Sequence, residues 1–391
     1  MMTNIFILYY CIFHIFNPPQ FEQQTLDDQV EIGYGLAIGD VDGDGKPDIV
    51  LADKTQFVWY RNGDWARFVM ADNLTESDNV CVTARDINGD GKVEVAVGAQ
   101  WNPSEVSDPE KSGSVHYLIR PDDPTEKWTP VQLHHEPTVH RMRWVKAEDN
   151  KFHLVVLPLH GRGNKNGEGA GVKVIAYEMP DDPRKEWKYW TIDESMHLTH
   201  NFDVMEDSDG NGEKIYIGGK EGVKVLSYSN HQWTPSPSGE WLVTDRSFGE
   251  VRMGNSPDRP FMAGIEPMHG NQLTVYTFPN GTSNGKSPSR TELTSDLNQG
   301  HALGVSDFLG LGMEQVVVGW REPNQDNKVG IKLFIPEDTD YNNWRDIWID
   351  ENGMATEDLQ LADLDGDGKL DIIASGRATN NLKIYWNRSS K

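Results

Sequence analysis

The chain has 391 residues and a formal net charge of −25, which argues against nucleic acid as a partner. Its two cysteines, Cys11 and Cys81, provide no disulfide framework. Frequent glycine (37) and proline (21) suit many short turns, and no stretch sustains a helical 3.6-residue period.

The first element is an apolar run, Ile5–Phe16, inside a leader covering residues 1–20. It is long enough for the core of a signal peptide and too short for a membrane span, so no transmembrane segment is expected. No Lys or Arg precedes it and no clear small-residue cleavage site follows. Leu8 lies three before Cys11, as in a lipoprotein signal, but Tyr10 does not fit one. The expectation is export, to a periplasm or the outside, and oligomeric state is not legible. Next comes Phe21-Glu-Gln-Gln-Thr-Leu-Asp27, a strand-like segment with no partner nearby in sequence.

Asp40-Val-Asp42-Gly-Asp44-Gly-Lys-Pro-Asp48 then joins two alternating segments, Leu36–Ile38 and Asp48–Leu51. Near-copies follow at Asp86-Ile-Asn88-Gly-Asp90-Gly-Lys-Val-Glu94 and at Asp363-Leu-Asp365-Gly-Asp367-Gly-Lys-Leu-Asp371. A degenerate copy, Asp207-Ser-Asp209-Gly-Asn211-Gly, has Ile215 where the last carboxylate should stand. Oxygen ligands at alternate positions, with glycines permitting the tight turn, fit a hard cation, so structural Ca²⁺ is expected. An EF-hand would need Glu at loop position 12, where this chain has Leu51, Val97 and Ala374. The plainer alternative is that Asp-Gly pairs merely build hairpin turns.

A third strand follows each hairpin, at Gln56–Tyr60, Val115–Ile119, Val172–Tyr177, Val223–Tyr228, Leu273–Phe278, Ile331–Ile335 and Leu382–Trp386. Fourth strands with a Trp or an acidic stop are legible only at Trp65–Asp72, Trp128–Glu136, Trp187–Glu194, Glu240–Asp245, Arg290–Asp296 and Trp344–Glu351. The missing seventh is Phe21–Asp27, because a β-propeller closes when a strand from one terminus completes the blade begun by the other. The predicted fold is all-β, a single seven-bladed β-propeller of four-stranded blades over residues 21–391.

The acidic loops resemble those of FG-GAP/VCBS-type repeats, which build such propellers. A narrower resemblance rests on Val139-His-Arg-Met-Arg-Trp144, Leu159-His-Gly-Arg-Gly163, His197-Leu-Thr-His-Asn201, Ile265-Glu-Pro-Met-His-Gly-Asn271, Asn298-Gln-Gly-His-Ala302 and Gly319-Trp-Arg-Glu322. These are similar to the propeller domain of the aldos-2-ulose dehydratases, and more loosely to propeller-type ulvan lyases. The resemblance implies elimination chemistry on a sugar. The cupin domains and isomerisation step of fungal members have no counterpart in the segments quoted.

The acidic turns occupy one face of such a propeller, so the opposite face is where chemistry is expected. With the blades in register, the residue six past loop position 9 is Lys54, Gln100, His160, Lys220, His269, Arg321 and Arg377. All but Gln100 are cationic or histidine, a bias that solvated loop ends alone do not require. The starts of the inner strands add Tyr34, Asn79, His140, His200 with Asn201, Glu250, His301, and Glu357 with Asp358. Taken singly, each histidine reads more simply as a hydrogen-bonded structural residue; converging on one channel mouth, they make a titratable pocket. Removing a proton beside a carbonyl or carboxylate needs a base, for which histidine is suited, and positive charge for the developing enolate. Arg321 or Arg377 would brace the enolate, and Tyr34 or another histidine would serve as acid. Histidines with Glu250 would also suit Zn²⁺ or another divalent metal. The leading expectation is thus a carbon–oxygen lyase or dehydratase acting on a keto-sugar or uronate-type carbohydrate. The alternative is a non-catalytic propeller binding glycans or proteins, for which Trp101 and Trp320 beside the ring positions would be platforms. No nucleophile elbow, phosphate-binding glycine loop or CxxC pair is present.

Overall fold

A computed structural model describes residues 18–148, 151–207, 210, 212–236, 239–254, 260–278 and 288–390. The expected leader therefore lies outside the described residues except at its last three positions, as do Asp209 and Asn211 of the degenerate loop. Seven antiparallel sheets follow one another around a ring, and strand order within each runs from the channel outward. Among the described residues there is no α-helix, and no helix long and apolar enough to cross a membrane.

The closing strand falls where the repeat count requires it. Phe21–Asp27 pairs antiparallel with Asn381–Asn387, and its sheet order continues through Asp371–Gly376 to the inner strand Thr356–Ala362. Val30, Leu36, Ile49 and Val58 of the first blade pack with Ile373, Leu382, Ile384 and Trp386 of the last, so the seam is a continuous apolar core.

The acidic ends of the outer strands also acquire a physical reason. Asp27 accepts from the Tyr60 hydroxyl (2.6 Å), Asp193 pairs with Lys224 (2.6 Å), and Asp350 takes both Lys383 (2.9 Å) and Tyr385 (2.7 Å). In each case the last residues of one blade's outer strand hold a polar side chain on the third strand of the next, satisfying a polar group that would be costly to bury alone.

The fourth blade departs from the expected pattern. Its third strand, Gly222–Ser229, turns through Asn230 and His231, both at positive φ (51° and 63°), into an added strand Gln232–Pro235. Paired positive-φ residues make a tight hairpin whose twist suits antiparallel strands. The expected outer strand survives as Trp241–Thr244 and pairs with the start of the same third strand.

Candidate functional site

The histidines reach the channel through irregularities in the inner strands. Regular pairing breaks at His140 in Val139–Lys146, at His200 and Asn201 in Thr199–Glu206, at His301 in Gly300–Ser306 and at Glu357 in Thr356–Ala362. Each break inserts one extra residue opposite the neighbouring strand, a β-bulge, and a bulge re-aims a side chain. The inner strands of the other three blades pair regularly. Thr138 and Gln299, immediately before two of these strands, take positive φ (56° and 57°), as does His269 itself (53°). Such left-handed conformations are unfavourable for these residue types and cluster at functional sites.

Four imidazoles meet as a result. Ring centroids are 4.6 Å apart for His140 and His200, 4.6 Å for His200 and His269, 5.0 Å for His200 and His301, and 5.0 Å for His269 and His301. Trp101 stacks on His140 at 4.9 Å. The Nδ1 of His200 lies 3.1 Å from the Gly249 carbonyl, and that of His301 bonds the Glu357 carbonyl. Those acceptors place the ring proton on Nδ1 and leave the Nε2 lone pairs free, the tautomer required of a metal ligand. The Nε2 atoms of His200 and His269 are 2.7 Å apart, a separation that needs a proton or a cation between them. His200, His269 and His301 each offer a ligand atom within 4.8 Å of the others. This donor set fits a borderline divalent ion such as Zn²⁺.

All four histidines are held neutral. Burial pushes His140, His200 and His301 well below the ordinary imidazole value, and neighbouring arginine or histidine charge adds to it; burial followed by His200 takes His269 to about 2. Among the described residues both ring nitrogens of His140 are without a hydrogen-bond partner, and the residue is only 6% exposed. Buried polar atoms are rarely left so, and those that are call for a ligand or a catalytic role.

Glu250 does not join the metal-type group. It stands behind His200, with Oε1 3.2 Å from Nδ1, and is anchored by Asn201 (2.7 Å) and Arg252 (3.4 Å). Its Oε1 is buried with no hydrogen bond among the described residues, the Nδ1 of His200 being bonded to Gly249, and it is not a member of the three-histidine group. Asn201 is committed to this contact and to the Phe202 amide. Asp358 lies in the channel wall, where its buried carboxylate accepts the amides of Leu36 (2.8 Å) and Leu359 (2.9 Å). Beside it Arg141, Arg143, Asn201 and Gln360 line a cavity of about 20 Å³, room for a single water.

Arg321 and Arg377 share one carboxylate. Their Nη1 atoms lie 3.4 and 3.2 Å from the buried Glu357. Arg377 also lies 5.3 Å from the ring centre of Tyr34, whose hydroxyl donates to Asp78 (2.8 Å). Burial raises the Tyr34 pKa, with the Asp78 bond adding to the rise, which makes it a poor acid.

The remaining ring positions stay at the periphery. Lys54 is half-buried and lies 3.6 Å from Glu31; Lys220 donates to the Gly167 carbonyl (2.8 Å); Gln100 anchors its own loop through the Thr75 hydroxyl and the Gly113 amide. His160 makes no ring contact with the other four histidines among the described residues. Trp320 is not a platform: it is 1% exposed, donates to the Lys328 carbonyl (3.0 Å) and packs in the core of the sixth blade.

On the opposite face, Asp40, Asp42 and Asp48 gather within 4.8 Å of one another, as do Asp363, Asp365 and Asp371. Asp44 and Asp367 accept the amides of Lys46 and Lys369 and pair with those side chains instead. In the middle copy Asp86 cradles the amides of Gly89 and Gly91, Asp90 accepts that of Lys92, and Asn88 reaches Glu94 (2.8 Å). Asp207 pairs with Lys214 (2.7 Å).

Sequence reasoning overlooked Gln299, which takes the Arg321 guanidinium (2.7 Å), and the arginine layer behind the histidines. The alternation Arg141, Arg143 directly after His140 was its available signal, since residues two apart on a strand share a face.

Comparisons with known proteins bear on the fold and the family likeness. Residues 112–278 match the family profile described as aldos-2-ulose dehydratase, beta-propeller domain, and residues 40–97 match an FG-GAP-like repeat. The aldos-2-ulose dehydratase of Phanerodontia chrysosporium is 25% identical over 268 residues, which is 65% of this chain and 29% of that longer protein. Among solved structures, a chain from the mitotic checkpoint complex superposes with a TM-score of 0.59 at 11% identity, covering 100% of this chain and 98% of its own, a likeness of fold alone. The chain is thus a seven-bladed β-propeller with FG-GAP-like repeats that resembles the propeller domain of aldos-2-ulose dehydratase.

Proposed function

We propose that this propeller is a carbohydrate lyase that expels water or an alcohol from a sugar by β-elimination at the channel mouth. The observation carrying the reading is the convergence of His140, His200, His269 and His301, all neutral, with arginine charge acting on them. The likeness to a dehydratase propeller supports carbohydrate-related chemistry. Elimination beside a carbonyl or carboxylate requires a base, a stabilised enolate and a proton for the departing oxygen. His140 suits the base: stacking on Trp101 orients it and neither nitrogen is spent on the protein. Arg321 suits the enolate, because its positive charge is little exposed and already fixed by Glu357 and Gln299. His200, His269 and His301 would hold a divalent metal, which when bound supplies Lewis-acid polarisation of the sugar oxygen. The Gly249 carbonyl keeps His200 in the required orientation. The acidic loops of the other face take structural Ca²⁺ in this reading, which suits an exported protein in calcium-rich surroundings.

Elimination creates a conjugated product, so the test is ultraviolet absorbance during incubation with keto-sugars and with polyuronates, with and without added Zn²⁺. A rise that disappears in His140→Ala is the expected result. Sugar binding without any rise, across both substrate classes, would favour instead a glycan-binding module that uses the half-buried Trp101 as its platform.

A further inference from the structure

Arg141 and Arg143 follow His140 on the inner strand Val139–Lys146 and share the face that looks into the channel, while Met142 and Trp144 belong to the blade core. Backbone carbonyls hold both guanidinium groups: Arg141 Nη1 donates to the His140 carbonyl (3.1 Å) and Arg143 Nε to the Phe202 carbonyl (3.0 Å). Among the described residues neither arginine forms an ion pair, and the Nε and Nη2 of Arg141 and both Nη atoms of Arg143 take no protein partner. The carboxylates of the channel are spent elsewhere. Asp358 gives one oxygen to the Leu36 amide (2.8 Å) and the other to that of Leu359 (2.9 Å). Glu250 gives Oε2 to Asn201 and Arg252, and Asp203 accepts the Met253 amide (2.8 Å). Burial, followed by the like charge of Arg252, draws the Arg143 pKa down, with Asp203 and Asp358 opposing. A guanidinium stays charged all the same, and a charge withdrawn from bulk water needs a counter-charge. Both arginines border the cavity of about 20 Å³, whose wall also includes Gly35, Cys81 and Gln360 on the inner strands of blades one, two and seven. That space suits an ion close to a water molecule in size and excludes a sugar carboxylate.

We propose that the channel beneath the histidines holds one small monovalent anion of the halide class, chloride in ordinary salt solution, between the Arg141 and Arg143 guanidinium groups. The uncommitted N–H groups of the two arginines supply charge-assisted hydrogen bonds to it. The Gln360 amide, which borders the same cavity and makes no side-chain bond among the described residues, is a further donor. Asp358 borders the cavity too, but its oxygens face the two amides that hold them. Neither substrate nor metal enters this site, so it stands apart from the elimination reading.

Crystals of the intact chain soaked in bromide give the direct test, because bromide scatters anomalously. An anomalous peak is expected in this cavity, within hydrogen-bond distance of both arginines. In solution, chloride should be exchanged for gluconate, which is too large for the cavity, at constant ionic strength. The native chain should melt a few degrees higher in chloride, since an ion that binds only the folded state stabilises it. That difference should vanish in Arg143→Gln and survive in part in Arg143→Lys, whereas general salt effects act on all three proteins alike. If the glutamine variant does not fold, the bromide position in the native chain decides the matter alone. A water at the site in place of bromide, bromide at other places only, equal melts of the native chain in the two salts, or an undiminished chloride effect in Arg143→Gln would overturn the proposal.

Discussion

His140 concentrates the argument at the scale of a single residue. It is buried, neutral and unpartnered, and an aromatic face holds it in place of a hydrogen bond. A general base contributes about 10²- to 10⁴-fold to a rate, so His140→Ala should lower kcat by that order while metal binding by the other three histidines persists. Retained turnover together with retained zinc stoichiometry would remove His140 from the mechanism. The four histidines also set a pH dependence. Their folded-state pKa values lie below the ordinary value near 6.5, with His269 at about 2, so on acidification the unfolded chain binds protons that the folded chain refuses. Their contribution to stability is therefore fully present above the unfolded value and is lost as pH falls below it. With Ca²⁺ in excess, so that the acidic loops do not titrate, melting temperature should fall between pH 7 and pH 5, and less steeply in His269→Gln; parallel curves for the two proteins would contradict this. The same scale shows what the sequence could disclose. His140, His200 and His301 were found because they open inner strands, whereas Trp320 was misread because position alone cannot say which face of a strand meets the core. The place of Glu250 was hidden for a related reason: a carboxylate near histidines reads as a ligand until distances are known.

At the scale of elements, the bulges and the acidic hairpins carry opposite faces of the molecule. The hairpins were legible because their carboxylates are contiguous in sequence. The bulges were not, since an extra residue is visible only against the strand it pairs with. The last carboxylate of each loop, Asp48, Glu94 or Asp371, is pushed up to about 6, chiefly by burial; backbone hydrogen bonds oppose the rise and nearby carboxylates add to it. Without a cation, the folded chain thus holds protons that the unfolded chain has released. That stability is fully present below the unfolded carboxylate value near 4 and is lost as pH rises through about 6. A bound ion would replace the missing proton. Chelator should therefore cost few degrees of melting temperature at pH 5 and several more at pH 8, where excess Ca²⁺ should restore them by binding only the folded state. Identical melts with chelator and with calcium at pH 8 would count against structural ions in these loops.

For the whole molecule, closure depends on a short segment at the far end of the chain. Phe21–Asp27 supplies the outer strand of the last blade, and its side chains reach across the seam: Gln24 accepts from Trp386 (2.9 Å), Asp27 from Tyr60 (2.6 Å), while Phe21 and Leu26 pack against the adjoining cores. Counting third strands against fourth strands was enough to predict this pairing, because a ring with one blade short of a strand has a single place left for it. Removing residues 1–27 would leave Asn381–Asn387 as an open edge, and an unpaired edge is a template for another chain. The truncated protein should melt at lower temperature and associate in a concentration-dependent manner by size exclusion. A peptide of residues 18–30 added in excess should return both properties toward those of the intact chain, since it restores the missing ladder. The histidine quartet provides the second measurement: it draws on blades three to six, remote in sequence from the deleted strand, and so reports on the ring beyond the seam. Loss of zinc binding on truncation, recovered with the peptide, would tie the site to closure, whereas a truncated chain that melts, elutes and binds metal like the intact one would show that the ring holds without its terminal strand.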